Sequence, residues 1–234
     1  MVERTSFPNP NNLRATAILD IEHNAIRKLT KLLLGDAGAD VQFLRRAHLH
    51  LADTVRPIYS VNEWQPTSVT LKKGRGSCSQ RAAVLEAIAR AARIPSRVHG
   101  FAVKGSFWYP RFRFTRFFIP KTVIFVWPQF FVEDKWLDFD ELHASIDQIA
   151  ARSTGGFTNS GESLFEAVVD TPVDFLGKTC GLSCARREHD LSRFLVKHCG
   201  LFDTRDEAFE RLGSFQHTLR GRAFELVFGD RKSS

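Results

Sequence analysis

Cys78 is the residue whose type and position most clearly favour covalent chemistry. It follows Gly76 and Ser77 and begins a run of helix-forming residues that continues to Arg93. The free N–H groups and the positive dipole end of such a helix favour the thiolate, which is the nucleophilic form of cysteine. Gly76 lets a substrate or another backbone segment approach closely. The alternative interpretation is a small cysteine buried in the core.

The elements around Cys78 predict an α+β fold, in which the cysteine-bearing helix packs on a small antiparallel sheet. The helix is predicted over 79–93 and ends at Ile94-Pro95. Three β-rich runs follow it, at 97–103, 123–132 and 135–139. The two-residue link Glu133-Asp134 predicts a hairpin between the last two runs.

The segments on either side of this core read mainly as helices. Helical spacing predicts helices at 13–34 and 41–55, whereas 59–73 reads as irregular. We therefore expect one domain over 1–234. Its parts are N-terminal helices (13–58), a core (59–141) with a basic aromatic insertion (104–122), and a helical C-terminal extension (142–234).

Composition limits the class of protein. Of the 234 residues, 43% are hydrophobic and 25% are charged, which excludes wholesale disorder. The sequence has no apolar run approaching the roughly 18 residues that a membrane span needs. The four cysteines are too few for a disulfide scaffold, and the polar N-terminus lacks the pattern of a secretion signal. We expect a cytoplasmic protein with reduced thiols.

Three segments, taken together with the spacing between them, resemble the transglutaminase-like cysteine superfamily over roughly 55–141. They are Gly76-Ser77-Cys78, Ile94-Pro95-Ser96-Arg97-Val98 with Gly100, and Trp136-Leu137-Asp138-Phe139-Asp140. The resemblance implies a papain-like Cys-His-Asp triad that works through a thioester intermediate. It implies Cys78 as the nucleophile and Asp140 as the acid that orients the base. Such chemistry requires no metal or organic cofactor.

The sequence departs from the family at the position of the catalytic histidine. In the family, this histidine lies two residues before one tryptophan and eleven residues before a second. Here the two tryptophans are Trp127 and Trp136, and Phe125 holds the position of the histidine. Phe125 cannot accept a proton. His143 follows Asp140 and emerges at the end of the sheet that reaches Cys78, so it is the first choice of substitute base. The alternative is an ordinary residue in the first turn of a helix.

An acyl-transfer site also needs hydrogen-bond donors for the developing oxyanion. The backbone N–H of Cys78 is one candidate. In the family, a polar side chain well upstream of the cysteine assists, and Tyr59 or Gln65 matches that description. Tyr59 is equally well interpreted as a half-buried aromatic residue.

The insertion between the first two predicted strands is basic and aromatic. There is no acidic residue between Ala87 and Val132, and eight Lys and Arg residues give this stretch a local charge of +8. Residues 107–118 alternate aromatic and cationic side chains, which predicts a strand or ribbon at the Cys78 end. One interpretation is a hairpin with a packed Phe face, and another is a docking surface for an acidic substrate or partner. Nucleic acid is disfavoured because no binding motif accompanies the pattern. The candidate binding residues are Trp108, Arg111, Arg113, Arg116 and Trp127.

Two weaker signals lie in the C-terminal extension. Cysteine and histidine residues of the types that bind zinc cluster there. The spacing of the first two cysteines lies within the range for structural zinc, but the histidine positions fit no established pattern. The cluster comprises Cys180, Cys184, His189, His198 and Cys199. The polar, glycine-rich loop 153–163 is either a cover for the active-site end or a solvated connection.

The resemblance and the residues together predict a bacterial-type acyltransferase that forms or cleaves an amide or thioester bond through Cys78. We expect amide formation in a biosynthetic pathway, from an acyl donor carried on an acidic protein to an amine acceptor. One alternative is a catalytically inactive binding or scaffold protein that uses the Phe/Arg insertion. Another is a hydrolase of small amides or thioesters, which differs only in the use of water as the acceptor.

Overall fold

The computed structural model describes residues 7–35, 40–112, 114–143, 163–170 and 191–229. Its helices are α1 (Asn24–Leu34), α2 (Asp40–Thr54), α3 (Thr67–Lys73), α4 (Cys78–Ala91), α5 (Leu164–Asp170), α6 (Arg205–Leu212) and α7 (Leu219–Phe228). Its strands are β1 (Arg56–Pro57), β2 (Arg75–Gly76), β3 (Ser96–Lys104), β4 (Thr122–Val132), β5 (Lys135–Asp138) and β6 (Leu195–Phe202).

The main sheet is antiparallel throughout, with the strand order β5-β4-β3-β6. The predicted hairpin between β4 and β5 is confirmed. Glu133 and Asp134 have φ angles of 52° and 60°, as a two-residue hairpin turn with the twist of its strands requires. The register pairs Phe101 with Phe125 across β3 and β4. The predicted α+β fold, with a cysteine-bearing helix and a small antiparallel sheet, is therefore confirmed.

Helix α4 is the buried centre of the core. Every residue from Gln80 to Arg90 is buried, because α4 packs against α1, α2 and α3 as well as against the sheet. Two of its buried charged side chains have hydrogen-bond partners inside the protein. The Arg205 Nε donates to the Glu86 Oε1 at 2.6 Å. The Arg90 guanidinium donates to the carbonyl oxygens of Asn11, Arg14, Ser96 and Asp203.

Strand β6 was not expected, because the extension after residue 141 was predicted to be helical. It pairs with β3 over Leu195–Phe202 and covers the edge of the sheet. Its central residues, Val196 to His198, are exposed, as is typical of an edge strand with little apolar pattern. Such a strand is stabilised by pairing with a segment about 100 residues away along the chain, which local periodicity does not reveal.

The N-terminal boundaries also differ from the prediction. Helix α1 begins at Asn24 rather than at residue 13, since His23 caps it and accepts from the Ala25 backbone N–H. The apolar residues Ile18 and Leu19 are fully buried in irregular backbone. A short helix, α3, lies in the segment predicted to be irregular. Helix α2 lies where the periodicity predicts it.

The insertion is not a strand or ribbon in the residues that the structure describes. Short 3-10 helices cover Gly105–Trp108 and Arg116–Phe118, with turns between them. The β3–β4 ladder ends at Lys104 and Thr122, and the Gly105 N–H then donates to the Lys121 carbonyl. A Cβ at Gly105 would lie 1.8 Å from the Pro120 carbonyl oxygen, so the two ends of the insertion touch. Between these joined ends, the described residues form turns and 3-10 helices instead of continuing the ladder.

Among the described helices, none is both long and apolar enough to cross a membrane.

Candidate active site

Cys78 is the first residue of α4, and the backbone around it is fixed by a reciprocal cap. The Ser77 hydroxyl accepts from the Gln80 N–H at 3.2 Å, and the Gln80 side chain accepts from the Ser77 N–H at 3.0 Å. One residue earlier, the Gly76 carbonyl accepts from the Ile58 N–H in the parallel β1–β2 pair. A Cβ at Gly76 would lie 2.8 Å from the Thr70 Cγ2, so this approach requires glycine.

The Cys78 side chain is half-buried and faces a cavity of about 130 Å³. Four of the other residues that the sequence singles out line the same cavity: Tyr59, Trp108, Arg111 and Phe125. Phe125 therefore faces the cysteine from the position that the family gives to histidine. The prediction that the insertion rises at the Cys78 end is confirmed by the placement of Trp108 and Arg111.

A serine outside the predicted site contacts the Cys78 sulfur. The Ser163 Oγ lies 3.1 Å from the Cys78 Sγ. The same oxygen accepts from the Phe165 backbone N–H at 3.1 Å and from the Arg81 Nη1 at 3.4 Å. Because these two donors occupy the acceptor positions of the hydroxyl, its own hydrogen is directed to the sulfur.

Arg81 places its positively charged guanidinium beside the Ser163 hydroxyl. It is fully buried, pairs with Glu166 and also donates to the Leu51 and Ala52 carbonyl oxygens. Its guanidinium lies 4.4 Å above the ring of Phe165. Arg81 was not predicted from the sequence, and Ser163 entered the prediction only as the last residue of the loop 153–163. The available signal was a basic residue one turn after Cys78 on the buried face of a helix.

Asp140 is buried, and it accepts from the Trp127 Nε1 at 3.1 Å. Burial, together with the neighbouring Asp138, raises the pKa of Asp140 well above its usual range. Trp127 was expected to contact a substrate or partner, and this expectation is wrong. Its side chain is only 2% exposed and packs on Phe139, so it holds Asp140 from within the core.

His143 is paired with a second histidine. The His48 Nε2 lies 2.6 Å from the Phe165 carbonyl, which can only accept, so this nitrogen carries the proton. Burial lowers the pKa of His48 to about 4, and its neutral Nδ1 therefore accepts from the His143 Nε2 at 2.8 Å. Among the described residues that line the Cys78 cavity, His143 does not occur. His143 thus contacts a histidine that is bonded to the backbone two residues after Ser163, and its role as the base stays a prediction.

The two oxyanion candidates have different positions. Gln65 is buried away from the cavity, where it donates to the Thr70 hydroxyl at 2.8 Å and accepts from the Lys73 ammonium at 2.7 Å. Tyr59 does line the cavity and is hydrogen-bonded by the Arg111 side chain. Burial raises the pKa of Tyr59, so its hydroxyl remains a donor at neutral pH.

Glu63 is a further cavity residue that sequence analysis missed. It accepts from the hydroxyl of Ser79, the residue after Cys78. Burial raises the pKa of Glu63, which makes its carboxylate a stronger proton acceptor than an exposed one.

None of the remaining candidates that the structure describes lines the cavity. Arg116 is exposed at the surface, and Arg113 lies outside the described residues. Of the zinc candidates, Cys180, Cys184 and His189 also lie outside them, as does all of the loop 153–163 except Ser163. His198 contacts His99 at 2.9 Å, and the His99 Nε2 lies 3.2 Å from the Asp138 Oδ1. The described part of the chain holds no cluster of three or more potential metal ligands.

A comparison with protein families finds a match in the part of the chain that holds Cys78. The family model of the transglutaminase-like superfamily matches residues 27–141, just under half of the 234 residues. This region belongs to the transglutaminase-like superfamily. Within it lie helix α4, strands β3, β4 and β5, and the positions of Cys78, Phe125 and Asp140. Ser163 lies beyond it.

Two solved structures are similar to part of the chain. A candidate cysteine protease from Cytophaga hutchinsonii aligns with 16% identity and a TM-score of 0.42, over 54% of this chain and 39% of that protein. A candidate protease from Parabacteroides distasonis aligns with 16% identity and a TM-score of 0.37, over 52% of this chain and 25% of that protein. The chain therefore spans less than half the length of either protein. No curated protein matches the sequence.

Proposed function

We propose that this transglutaminase-like protein transfers acyl groups through Cys78, and that its donor is a thioester rather than an amide. The observation that carries the proposal is the pair of groups facing the cysteine. Phe125 stands at the position of the family's histidine, whereas the Ser163 hydroxyl contacts the sulfur.

The missing imidazole separates the two classes of donor. Cleaving an amide expels an amine, which must be protonated as it leaves, and the histidine of a Cys-His pair supplies that proton. Cleaving a thioester expels a thiolate, which needs no proton at neutral pH. The Cys78 thiolate attacks the donor carbonyl, the donor carbon–sulfur bond breaks, and the acyl group remains on Cys78. Phe125 and Ser163, the two groups named above, support a first step that uses no general acid.

The second step releases the acyl group to an amine. The amine attacks the Cys78 thioester, an amide bond forms, and the carbon–sulfur bond breaks to regenerate the thiolate. The amine loses one proton, and Glu63 is the cavity carboxylate whose raised pKa suits it to accept that proton. For the oxyanion, the Cys78 backbone N–H and the Tyr59 hydroxyl are two candidate donors in the cavity.

The test is the mass of the intact protein after incubation with benzoyl-N-acetylcysteamine, a simple thioester donor. We expect one added benzoyl group on the wild type, and none on Cys78→Ser. Cys199→Ser is the matched control, because Cys199 is a half-buried cysteine on β6 that lies outside the cavity. Absence of an adduct on the wild type, or an equal adduct on Cys78→Ser, contradicts the proposal.

A second candidate function is a non-catalytic binding protein, and the observation that favours it is again Phe125. In that case Cys78 is not acylated, although ligands still enter the cavity. An acceptor assay separates the two functions. The acylated wild type should transfer benzoate to an added amine such as benzylamine, and the binding protein should not.

The basic insertion supports a donor held on an acidic carrier protein. Arg111 lines the cavity, and Lys104, Arg116 and Lys121 are exposed around it on the same insertion. Charge reversal at Arg111, Arg113 and Arg116 should weaken binding of such a carrier. Reversal at Lys28 and Lys31, which are exposed on α1, should leave binding unchanged. Equal binding by both variants contradicts this part of the proposal.

A further inference from the structure

Part of the cavity wall beside Cys78 is a packed aromatic cluster. The walls include Tyr59, Trp108, Phe112, Phe125, Phe215 and Phe224. Phe112 and Phe224 are 5% and 4% exposed, and their rings pack edge-to-face with centroids 5.4 Å apart. Behind them lies Phe228, which contacts both rings. A group that enters from Cys78 therefore meets a packed aromatic cluster.

The volume of this space fits a small group. The cavity measures about 130 Å³. An apolar protein cavity of about 150 Å³ holds one benzene molecule. A long alkyl chain would have to displace Phe112 or Phe224 from the cluster, and such overpacking is costly.

The polar groups in the walls already have partners. Glu63 accepts from the Ser79 hydroxyl, and the Arg111 side chain hydrogen-bonds the Tyr59 hydroxyl. A charged acyl group would have to compete with these contacts and would lose its own hydration in an aromatic cavity. An uncharged ring loses little hydration and gains aromatic contacts.

We infer that the acyl group accepted by Cys78 is small and uncharged, about the size of a benzoyl or short branched acyl group. This inference rests on the proposed function, because it names the substrate class of the same site. The aromatic ring or branched chain packs against this aromatic cluster, and its carbonyl carbon lies next to the Cys78 sulfur.

The experiment compares acylation of Cys78 by a series of N-acetylcysteamine thioesters that carry acetyl, isobutyryl, benzoyl and decanoyl groups. Each rate is divided by the rate of the same donor with free N-acetylcysteine, which removes intrinsic reactivity. We expect the normalised rate for benzoyl to exceed that for decanoyl about ten-fold. Equal normalised rates for all donors would overturn the inference while leaving the proposed function intact.

A variant with a longer cavity provides the matched test. Phe224→Ala should extend the cavity and raise the normalised rate for decanoyl about ten-fold. Leu226→Ala is the control, because Leu226 lies on the same helix and is 88% exposed. Circular dichroism establishes that both variants fold. If Phe224→Ala fails to fold, the donor series on the wild type decides.

Binding without reaction separates failure of this inference from failure of the proposed function. Acetophenone is an unreactive analogue of the benzoyl group, and 2-decanone is an analogue of the long chain. Calorimetry on Cys78→Ser should show about ten-fold tighter binding of acetophenone. If acetophenone binds more tightly but no donor acylates the wild type, the proposed acyl transfer is refuted, whereas the inference that the cavity binds small uncharged groups stands. Equal or absent binding of both ketones would overturn the inference.

Discussion

Arg81 lies one helical turn after Cys78 on α4, and both side chains contact the Ser163 hydroxyl. The family's triad draws its polar groups from the strands that follow the helix. In this protein, the group that contacts the sulfur comes from the residue before α5, beyond the matched region 27–141. The described contacts of the nucleophile thus depend on the C-terminal extension as well as on the family core.

Replacing Ser163 should slow reactions of the thiol. Ser163→Ala removes the hydrogen bond to the Cys78 sulfur and leaves one donor of Arg81 without its acceptor. Hydrogen bonds to charged groups contribute about 1.5–3 kcal/mol, so alkylation of Cys78 by iodoacetamide at pH 7 should slow about ten-fold or more. Ser60→Ala, in the same cavity wall, should alkylate at the wild-type rate. A wild-type rate for Ser163→Ala would mean that the hydroxyl does not stabilise the thiolate.

Restoring the family's histidine should widen the range of substrates. Phe125→His places an imidazole on the wall of the cavity that Cys78 faces. General acid catalysis contributes about 10²–10⁴-fold where it is well positioned. We expect release of p-nitroaniline from a benzoyl anilide to rise at least about ten-fold over the wild type. Phe125→Gln is polar but cannot titrate, and it should show no rise; equal rates for the two variants would contradict the argument about the leaving group.

Gly76 should not tolerate a side chain. Gly76→Ala puts a Cβ 2.8 Å from the Thr70 Cγ2 and 3.3 Å from the Gln80 Cβ. We expect the free energy of unfolding in urea to fall by about 1–3 kcal/mol, as is usual for overpacking. Thr70→Ser in the same chain removes the clashing methyl group and keeps the hydroxyl that accepts from Gln65. The double variant Gly76→Ala/Thr70→Ser should therefore recover most of the lost free energy of unfolding. No recovery would mean that the strain does not come from the Thr70 methyl group.

The buried His48 should make the protein less stable in acid. Its pKa is lowered to about 4 in the folded state, from 6.5. Between these values the unfolded chain binds the proton and the folded chain does not. The free energy of unfolding should therefore fall as the pH decreases from 6.5 to about 4, by at most about 1.4 kcal/mol per pH unit.

His48→Gln tests this slope by urea denaturation at pH 7, 6 and 5. Glutamine keeps a donor for the Phe165 carbonyl and cannot be protonated, so the slope should become smaller. His50→Gln, on the same helix but only half-buried, should keep the wild-type slope. Identical slopes in wild type and His48→Gln would show that other groups cause the acid sensitivity.

Asp140 should destabilise the protein as the pH rises, since burial raises the pKa of its carboxyl well above 3.8. Above that pH the unfolded carboxyl ionises while the folded one retains its proton. Asp140→Asn keeps an acceptor for the Trp127 indole and removes this linkage. We expect a higher melting temperature than wild type at pH 8 and no gain at pH 3.5. Asp138→Asn should instead lose stability, because Asp138 accepts from Gln129 and lies beside His99.

The sequence was sufficient for features that depend on neighbours along the chain. The start of α4 is determined by the cap residues Ser77 and Gln80, and the hairpin by Glu133-Asp134. The position of Phe125 also followed from the spacing to Trp127 and Trp136. Strand alternation then put Phe125 on the face that reaches the cysteine.

The sequence was insufficient where a side chain finds a distant partner. Ser163 lies 85 residues from Cys78, and its contact follows from the packing of α5 on α4. His143 has the side chain of a base, but its hydrogen bond to His48 depends on how α2 packs beside it. Composition likewise could not reveal that Trp127 is buried. These contacts require the tertiary structure.

Strand β6 gives the C-terminal extension a consequence for any shortened form of the protein. The matched family region ends at residue 141, whereas β3 takes one of its two neighbours from residues 195–202. A fragment that stops at 141 would leave the N–H and C=O groups along that side of β3 without strand partners. Unpaired strands of this kind join to other chains, so such fragments should aggregate even though they contain the cysteine helix and the hairpin.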